Sequence, residues 1–256
     1  MRILVCVKRV PAPGTRINIT PDGQAVDTTH LGFTTSPHEE CAVEAAVQLI
    51  ESHGGTATVL TLGPDLAEEQ LRYAVSVGMS DAVLLAAEGD DWDPQRTAAA
   101  IGSAVKSLES SAGVPFDLIL FGNESADNGG FQVGVRVAVA LDRPMVNGAK
   151  GLSVADGVAL VRREGDAGVE TYRVPLPAVI GVKEGITLPR YPTMKGRLAS
   201  RKASVSAVSA SGSAGGLAKV RLRPPPEQVT STVILGRGPE AAPAVVDLLE
   251  ELGVLR

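Results

Sequence analysis

Aromatic side chains are scarce, 3% of a 256-residue chain with a single tryptophan, although 44% of the residues are hydrophobic. A core made with so few rings has to be filled by Ala, Val and Leu, which favours helices packed on a parallel sheet whose strands read as continuous β-branched runs. No apolar run approaches the roughly 18 residues that cross a bilayer, so a membrane-spanning segment is not expected. "MRILVCVKRVPAPG" reads as a strand and a loop without the small-residue cleavage site of a signal peptide, and a cytoplasmic location is the expectation. The two cysteines, Cys6 in a strand pattern and Cys41 in a helix pattern, show no CxxC or Cys/His spacing. That argues against a disulfide framework or a zinc site, and both are read as reduced thiols.

A net charge of −5 gives no case for nucleic acid. Acidic residues are missing from Gly185 to Pro226, where Arg190, Lys195, Arg197, Arg201, Lys202, Lys219, Arg221 and Arg223 all fall. A run of one sign is ordinarily a solvated face, but this one coincides with a loss of regular pattern. Catalytic vocabulary is thin as well. No serine stands in a GxSxG elbow, no carboxylate pair is set by spacing, and the histidines are His30, His38 and His53. His53 falls at a helix C-terminus, where a cation is favoured. His38 falls in a first helical turn, where capping or exposure is expected and ligand contact is open. No catalytic residue and no metal set are assigned, so redox chemistry here would be carried by a non-protein group.

What is present is a strict alternation. "RILVCVK" is a strand, and "SPHEECAVEAAVQLIESHGG" is a helix with Ser36 as N-cap, Pro37 at its first position, Glu39 three residues past the cap and Gly54 to stop it. "TATVLTLG", "DAVLLAA" and "FDLILFG" read as further strands. "PDLAEEQLRYAVSVG", a segment from Asp93 to about Ser110, and "GFQVGVRVAVAL" read as the helices between and after them. Beyond Pro144 come three extended runs punctuated by "DG" and "GDAG", the marks of antiparallel hairpins. "GITLPRYPTMKGRLASRKA" is a basic loop leading into a short helix, "SVSAVSASGSAGGLAKV" an extended or mobile connector, and "GPEAAPAVVDLLEELGVL" an amphipathic helix.

The expected fold is therefore α/β: a doubly wound, mostly parallel Rossmann-like sheet with helices on both faces, an antiparallel hairpin extension and a C-terminal arm ending in a helix. Residues 1–200 are assigned to a nucleotide-binding domain that includes the hairpin at 151–183 and a loop at 186–198, and residues 201–256 to a linker and arm. A final helix with little of its own domain to pack on is expected to pack on another chain.

In such a sheet ligands bind at the carboxyl ends of strands, where "FGNESADNGGFQVG" links a strand to a helix. Helix N-termini present unpaired amides, and glycines let a phosphate approach the backbone. "DNGGFQVG" is thus a candidate phosphate cradle, with Asn123, Ser125 and Asn128 as side-chain partners and Asp127 suited to a ribose hydroxyl or to fixing the loop. A long turn with capping residues explains the same sequence. The loop is neither GxxxxGK[ST] nor GxGxxG and lacks a lysine, so phosphoryl transfer is unsupported.

Five segments in this order resemble the β subunit of electron transfer flavoprotein: "ILVCVKRVPAPG", "SPHEECAVEAAVQL", "GNESADNGGFQVG", "VRREGDAGVETYRVPLPAVIGV" and "LPRYPTMKGRLASRK". The resemblance implies a heterodimer with an α subunit that holds most of the FAD, while the β chain holds AMP, or a second FAD in bifurcating members that oxidise NADH. Carried over by motif, it implies a nucleotide site of Val7, Ser36, Pro37, His38, Glu39, Leu62, Gly63, Gly122, Asn123, Glu124, Ser125, Asp127, Asn128, Gly129, Gly130, Phe131, Gln132, Val133 and Gly134. It also implies a docking segment for flavoprotein dehydrogenases with Arg190, Tyr191, Met194, Lys195 and Arg197, Met194 being the anchor. Electrons would pass on to a quinone reductase.

The chain departs from the family pattern in places. It has "PAPG" after the first strand, Gly129 and Gly130 where bifurcating members have Asp-Thr, Ala167 at a usual glycine and Tyr172 at a usual aliphatic. AMP is the expected ligand, with a second FAD or a standalone adenine-nucleotide module as alternatives.

Overall fold

A computed structural model describes residues 1–87, 89, 92–212, 216–226 and 232–255. They fall into two units, Met1–Leu222 and Arg223–Arg256. The first opens with β1 (Arg2–Val7), β2 (Arg9–Pro11), β3 (Asn18–Ile19), β4 (Val26–Asp27) and β5 (Phe33–Thr35), then α1 (Pro37–His53), β6 (Thr56–Gly63), α2 (Glu68–Val77) and β7 (Asp81–Ala86). It continues with α3 (Pro94–Ala112), β8 (Leu118–Gly122), α4 (Val133–Ala140), β9 (Met145–Ala155), β10 (Val158–Gly165), β11 (Gly168–Pro175), β12 (Ala178–Val182), α5 (Met194–Lys202) and β13 (Val205–Ser209). The second unit carries α6 (Ala242–Glu251), on which Val245, Val246 and Leu248 are exposed.

Nine strands make one sheet in the order β11-β10-β9-β12-β8-β1-β6-β7-β13. Every pairing from β9 to β13 across that order is parallel and β9, β10 and β11 pair antiparallel, while β2 with β5 and β3 with β4 form two small antiparallel pairs outside this sheet. The continuous apolar run of β1 follows from burial on both faces. Ile3, Val5 and Val7 enter the core shared with α1 and α2, while Leu4 and Cys6 enter the one shared with α3 and α4. The doubly wound α/β architecture expected from the sequence is thus observed. No helix among the described residues is long and apolar enough to cross a membrane. Cys6 and Cys41 are buried and unpaired, and burial pushes the Cys6 thiol well above its ordinary range.

Three boundaries differ from the sequence reading. The run ending "AVIGV" is not a hairpin strand: it returns as β12, parallel, and inserts between β8 and β9. Burial of all five of its residues accounts for its unbroken apolar character. The helix after β8 starts at Val133 rather than Gly130, because Gly129 and Phe131 both take φ of 53°, the left-handed region that ends any helix. Val205–Ser209, read as connector, is the sheet's edge strand beside β7, with four of its five residues exposed. Ser213, Ala214 and Gly215 of that connector, and residues 227–231 and 256 of the arm, lie outside the described residues.

Candidate functional site

The chain places β6 and β7 to one side of β1 and then returns to place β8 on the other. A parallel sheet whose strand order reverses in this way opens a crevice at the carboxyl ends of the two strands flanking the reversal. Here those ends are Val7 and Gly122, with Gly63 and Val182 beside them. The first turn of α1 sits directly on Gly122.

Ser36 is fully buried with extended backbone at the N-cap position, and its carbonyl accepts the Glu39 and Glu40 amides at 2.9 Å. Its hydroxyl does not cap the helix, as the sequence suggested, but donates to the Glu124 carbonyl at 3.4 Å. The first turn is thereby tied to the loop after β8. Glu39 is 6% exposed, and one carboxyl oxygen accepts the Lys8 amide at 2.7 Å. Burial raises its pKa to about 8 against the opposing pull of the Lys8 amide, the Lys8 charge and the Ser36 amide.

His38 is neither capping nor exposed: its Nδ1 accepts the Glu184 amide at 2.7 Å and its Nε2 stands 3.4 Å from Glu124 Oε1. An Nδ1 that accepts leaves the ring proton on Nε2, facing that carboxylate. The ring therefore bridges the segment after β12 to the loop after β8.

Within that loop the Asn123 amide donates to the Val182 carbonyl at 2.8 Å, and the Ser125 hydroxyl donates to Asn128 Oδ1 at 2.7 Å. The Gly129 amide donates to the Ser125 carbonyl at 2.9 Å. Asp127 reaches out of the loop to the Lys8 ammonium, 2.5 Å away. Val7, Ser36, Pro37, His38, Glu39, Gly122, Asn123, Glu124 and Asp127 thus gather at the carboxyl ends of β1 and β8. Leu62 and Gly63 end the neighbouring strand, where the Gly63 carbonyl accepts the Ala87 amide. Gly130 is half-buried beside Phe131, which is half exposed, and Gln132 is bound by Arg136 in the next turn. Val133 and Gly134 open α4, with Gly134 against Phe121 and Met145. Lys8 was not among the residues the sequence singled out, and Glu184 enters the site through its backbone. Among the described residues no group of three or more His, Cys, Asp or Glu is placed to hold a metal.

The basic segment forms a separate feature. Arg190 is turned inward, its guanidinium bound to Glu44 at 2.8 Å and to Glu51 at 2.6 Å on α1. Both carboxylates hold it charged well above the ordinary arginine range. Tyr191 and Met194 are 89% and 74% exposed, and Lys195 and Arg197 are exposed with them. The short helix under them is fixed firmly. Thr193 caps the Gly196 amide at 3.0 Å, and Arg72 of α2 binds the Ser200 and Ala203 carbonyls at the far end, at 2.7 and 3.2 Å.

A family model described as "Electron transfer flavoprotein domain" matches residues 25–213. The chain is 34% identical over 213 residues to the electron transfer flavoprotein subunit beta of Syntrophomonas wolfei, covering 82% of this chain and 80% of the relative. It is 33% identical over 213 residues to the protein of that description from Mycobacterium bovis, covering 81% and 78%. The acryloyl-CoA reductase electron transfer subunit gamma of Anaerotignum propionicum is 32% identical over 198 residues, covering 77% and 73%.

Proposed function

The chain belongs to the electron transfer flavoprotein family, as a member of its β-subunit type, and from that premise we propose that it is one half of an electron-carrying heterodimer. In this reading it binds AMP in the crevice between β1 and β8 and, with an α subunit, frames the FAD that carries electrons in the cytoplasm. Electrons arrive from flavoprotein dehydrogenases at the basic segment and leave to a quinone reductase. The observation that carries the reading is the bond from the Ser36 hydroxyl to the Glu124 carbonyl, which joins the first turn of α1 to the loop after β8 at the strand reversal, the place where parallel sheets take nucleotides. Gly129 and Gly130 leave part of that rim without side chains, which suits close approach of a phosphate to backbone.

FAD, when bound, supplies the redox chemistry of the pair. The residues of this chain supply position. Ser36, His38 and Glu124 lock the α1 turn to the loop, so the nucleotide would meet a formed site and rigidify the face that borders the partner. Arg72, Thr193 and Arg190 fix α5 and its approach, so that Tyr191 and Met194 project from a rigid base. Redox encounters are small and transient, and one exposed anchor on such a base suits them. The arm carrying α6, with its exposed apolar residues, would pack on the α subunit.

Co-expression with the α subunit, purification, denaturation and quantification of released nucleotides test the proposal. One FAD and one AMP per heterodimer is the expected result. Two FAD and no AMP would replace the carrier by a bifurcating subunit, and no adenine nucleotide beyond a single FAD would remove the crevice from the account.

A further inference from the structure

A phosphate in this crevice meets an electrostatic obstacle. Residues 122–134 include two carboxylates, Glu124 and Asp127, and no lysine or arginine. The cation has to come from elsewhere. Arg136, one helical turn on, is bound to Gln132, Lys183 faces Glu164 at 3.8 Å, and the Arg9 guanidinium lies 3.4 Å over the Phe33 ring.

Resting on the reading of the crevice as a nucleotide site, we propose that Lys8 is its phosphate-contacting cation, delivered from the end of β1 and held over the crevice by Asp127. The two residues are 119 positions apart in sequence and meet at the strand reversal, the ammonium 2.5 Å from Asp127 Oδ2. The backbone of Lys8 is pinned by the bond from its amide to Glu39, so the root of the side chain is fixed while its tip stays accessible, the side chain being 40% exposed. An ammonium has three donors. Asp127 engages one, and two remain for oxygens of a phosphate. Glu39, with its carboxyl raised to about 8 by burial, is mostly protonated at pH 7 and adds little competing charge. Asp127 thus acts as a positioning residue for Lys8 rather than as a ribose ligand.

The experiment compares a nucleotide with and without its phosphate on the intact heterodimer, depleted of AMP by prolonged dialysis. Binding of AMP and of adenosine is measured by calorimetry for wild type, Lys8→Met and Lys8→Arg. Lys8→Met keeps the apolar stem and the backbone bond, so AMP should weaken by about 10–100-fold, the range expected for one hydrogen bond to a charged group. Adenosine should change by less than about twofold, and Lys8→Arg should restore most of the AMP affinity. Equal weakening of both ligands in Lys8→Met would show a change in the loop rather than a lost phosphate contact and would overturn the assignment, as would no change in either. If the site takes FAD, Lys8→Met should weaken FAD and leave adenosine and riboflavin, the two halves of FAD without its phosphates, unchanged. Wild type binding none of the four would fail before any variant is compared, and that result overturns the nucleotide reading itself.

Discussion

Gly122 and Glu39 are in direct apposition: a methyl group added to Gly122 would stand 2.6 Å from Glu39 Cγ, and 3.2 Å from both the Glu39 amide nitrogen and His38 Cβ. The end of β8 and the first turn of α1 can approach this closely only over a glycine. Gly122→Ala should displace the turn, costing about 1–3 kcal/mol of stability as an overpacked contact does. Thermal melting and AMP content of the purified heterodimer should fall together; a variant that melts like wild type would show that the turn yields freely.

Glu39 makes stability depend on pH in a definite direction. Its carboxyl titrates at about 8 in the folded chain against an ordinary value of 4.5, so the folded state holds a proton that the unfolded state has lost between those values. Its contribution is fully present below about 4.5 and is lost as pH rises through 8. Glu39→Gln retains an acceptor for the Lys8 amide without the titration. The melting temperature of this variant relative to wild type should rise steadily from pH 5 to pH 8, and a difference flat across that interval would contradict the buried-acid account.

Gly196 on α5 faces the carbonyl of Ser76 on α2, which would lie 2.1 Å from an added Cβ. The obstacle is backbone and cannot rotate away. Gly196→Ala should therefore tilt α5 and move Tyr191 and Met194, slowing reduction of the heterodimer by its dehydrogenase while AMP content stays at wild-type level. Stopped-flow reduction alongside nucleotide quantification separates the two effects.

Arg190 neutralises Glu44, which is 4% exposed, and removing the guanidinium leaves that carboxylate buried without its partner. Partial exposure of Arg190 itself moderates the effect, so Arg190→Ala should cost about 1.5–3 kcal/mol in urea denaturation. Arg190→Lys should recover only part, because a point charge cannot fork across Glu44 and Glu51 as the guanidinium does.

Met194→Ala removes a side chain that is 74% exposed, so stability should stay within about 0.5 kcal/mol of wild type. Reduction by the dehydrogenase should nonetheless slow if this side chain seats in the partner. An unchanged rate would move the docking role to Tyr191 or elsewhere.

The alternating pattern exposed most of the fold because the central strands of the parallel sheet are largely apolar and the helices α1 and α3 begin with recognisable residues. Asp93, whose side chain accepts the Gln95 and Arg96 amides, and Pro37 are examples. The place of β12 was not legible, since "AVIGV" reads identically as an inserted parallel strand or the last run of a hairpin. In the site, the glycine loop and the first turn of α1 could be found from their own residues. The pairing of Lys8 with Asp127 and the inward turn of Arg190 could not, because each joins residues more than a hundred positions apart and only the sheet order brings them together. The Ser36 hydroxyl misled for a related reason: local spacing fits a capping box, while a tertiary acceptor, the Glu124 carbonyl, takes the proton.

The insertion of β12 between β8 and β9 also governs how the chain can be made. During synthesis β8 emerges with its neighbour on one side already available in β1, but its other edge has no partner until Val182 has left the ribosome, and β9 has none on that side either. The nascent chain therefore carries an open, wholly apolar strand edge through the synthesis of the entire β9 to β11 segment, the stage at which unpaired edges are captured by other chains. Slowing translation before Val182 has emerged from the ribosome should lengthen that exposure, whereas slowing it afterwards should not.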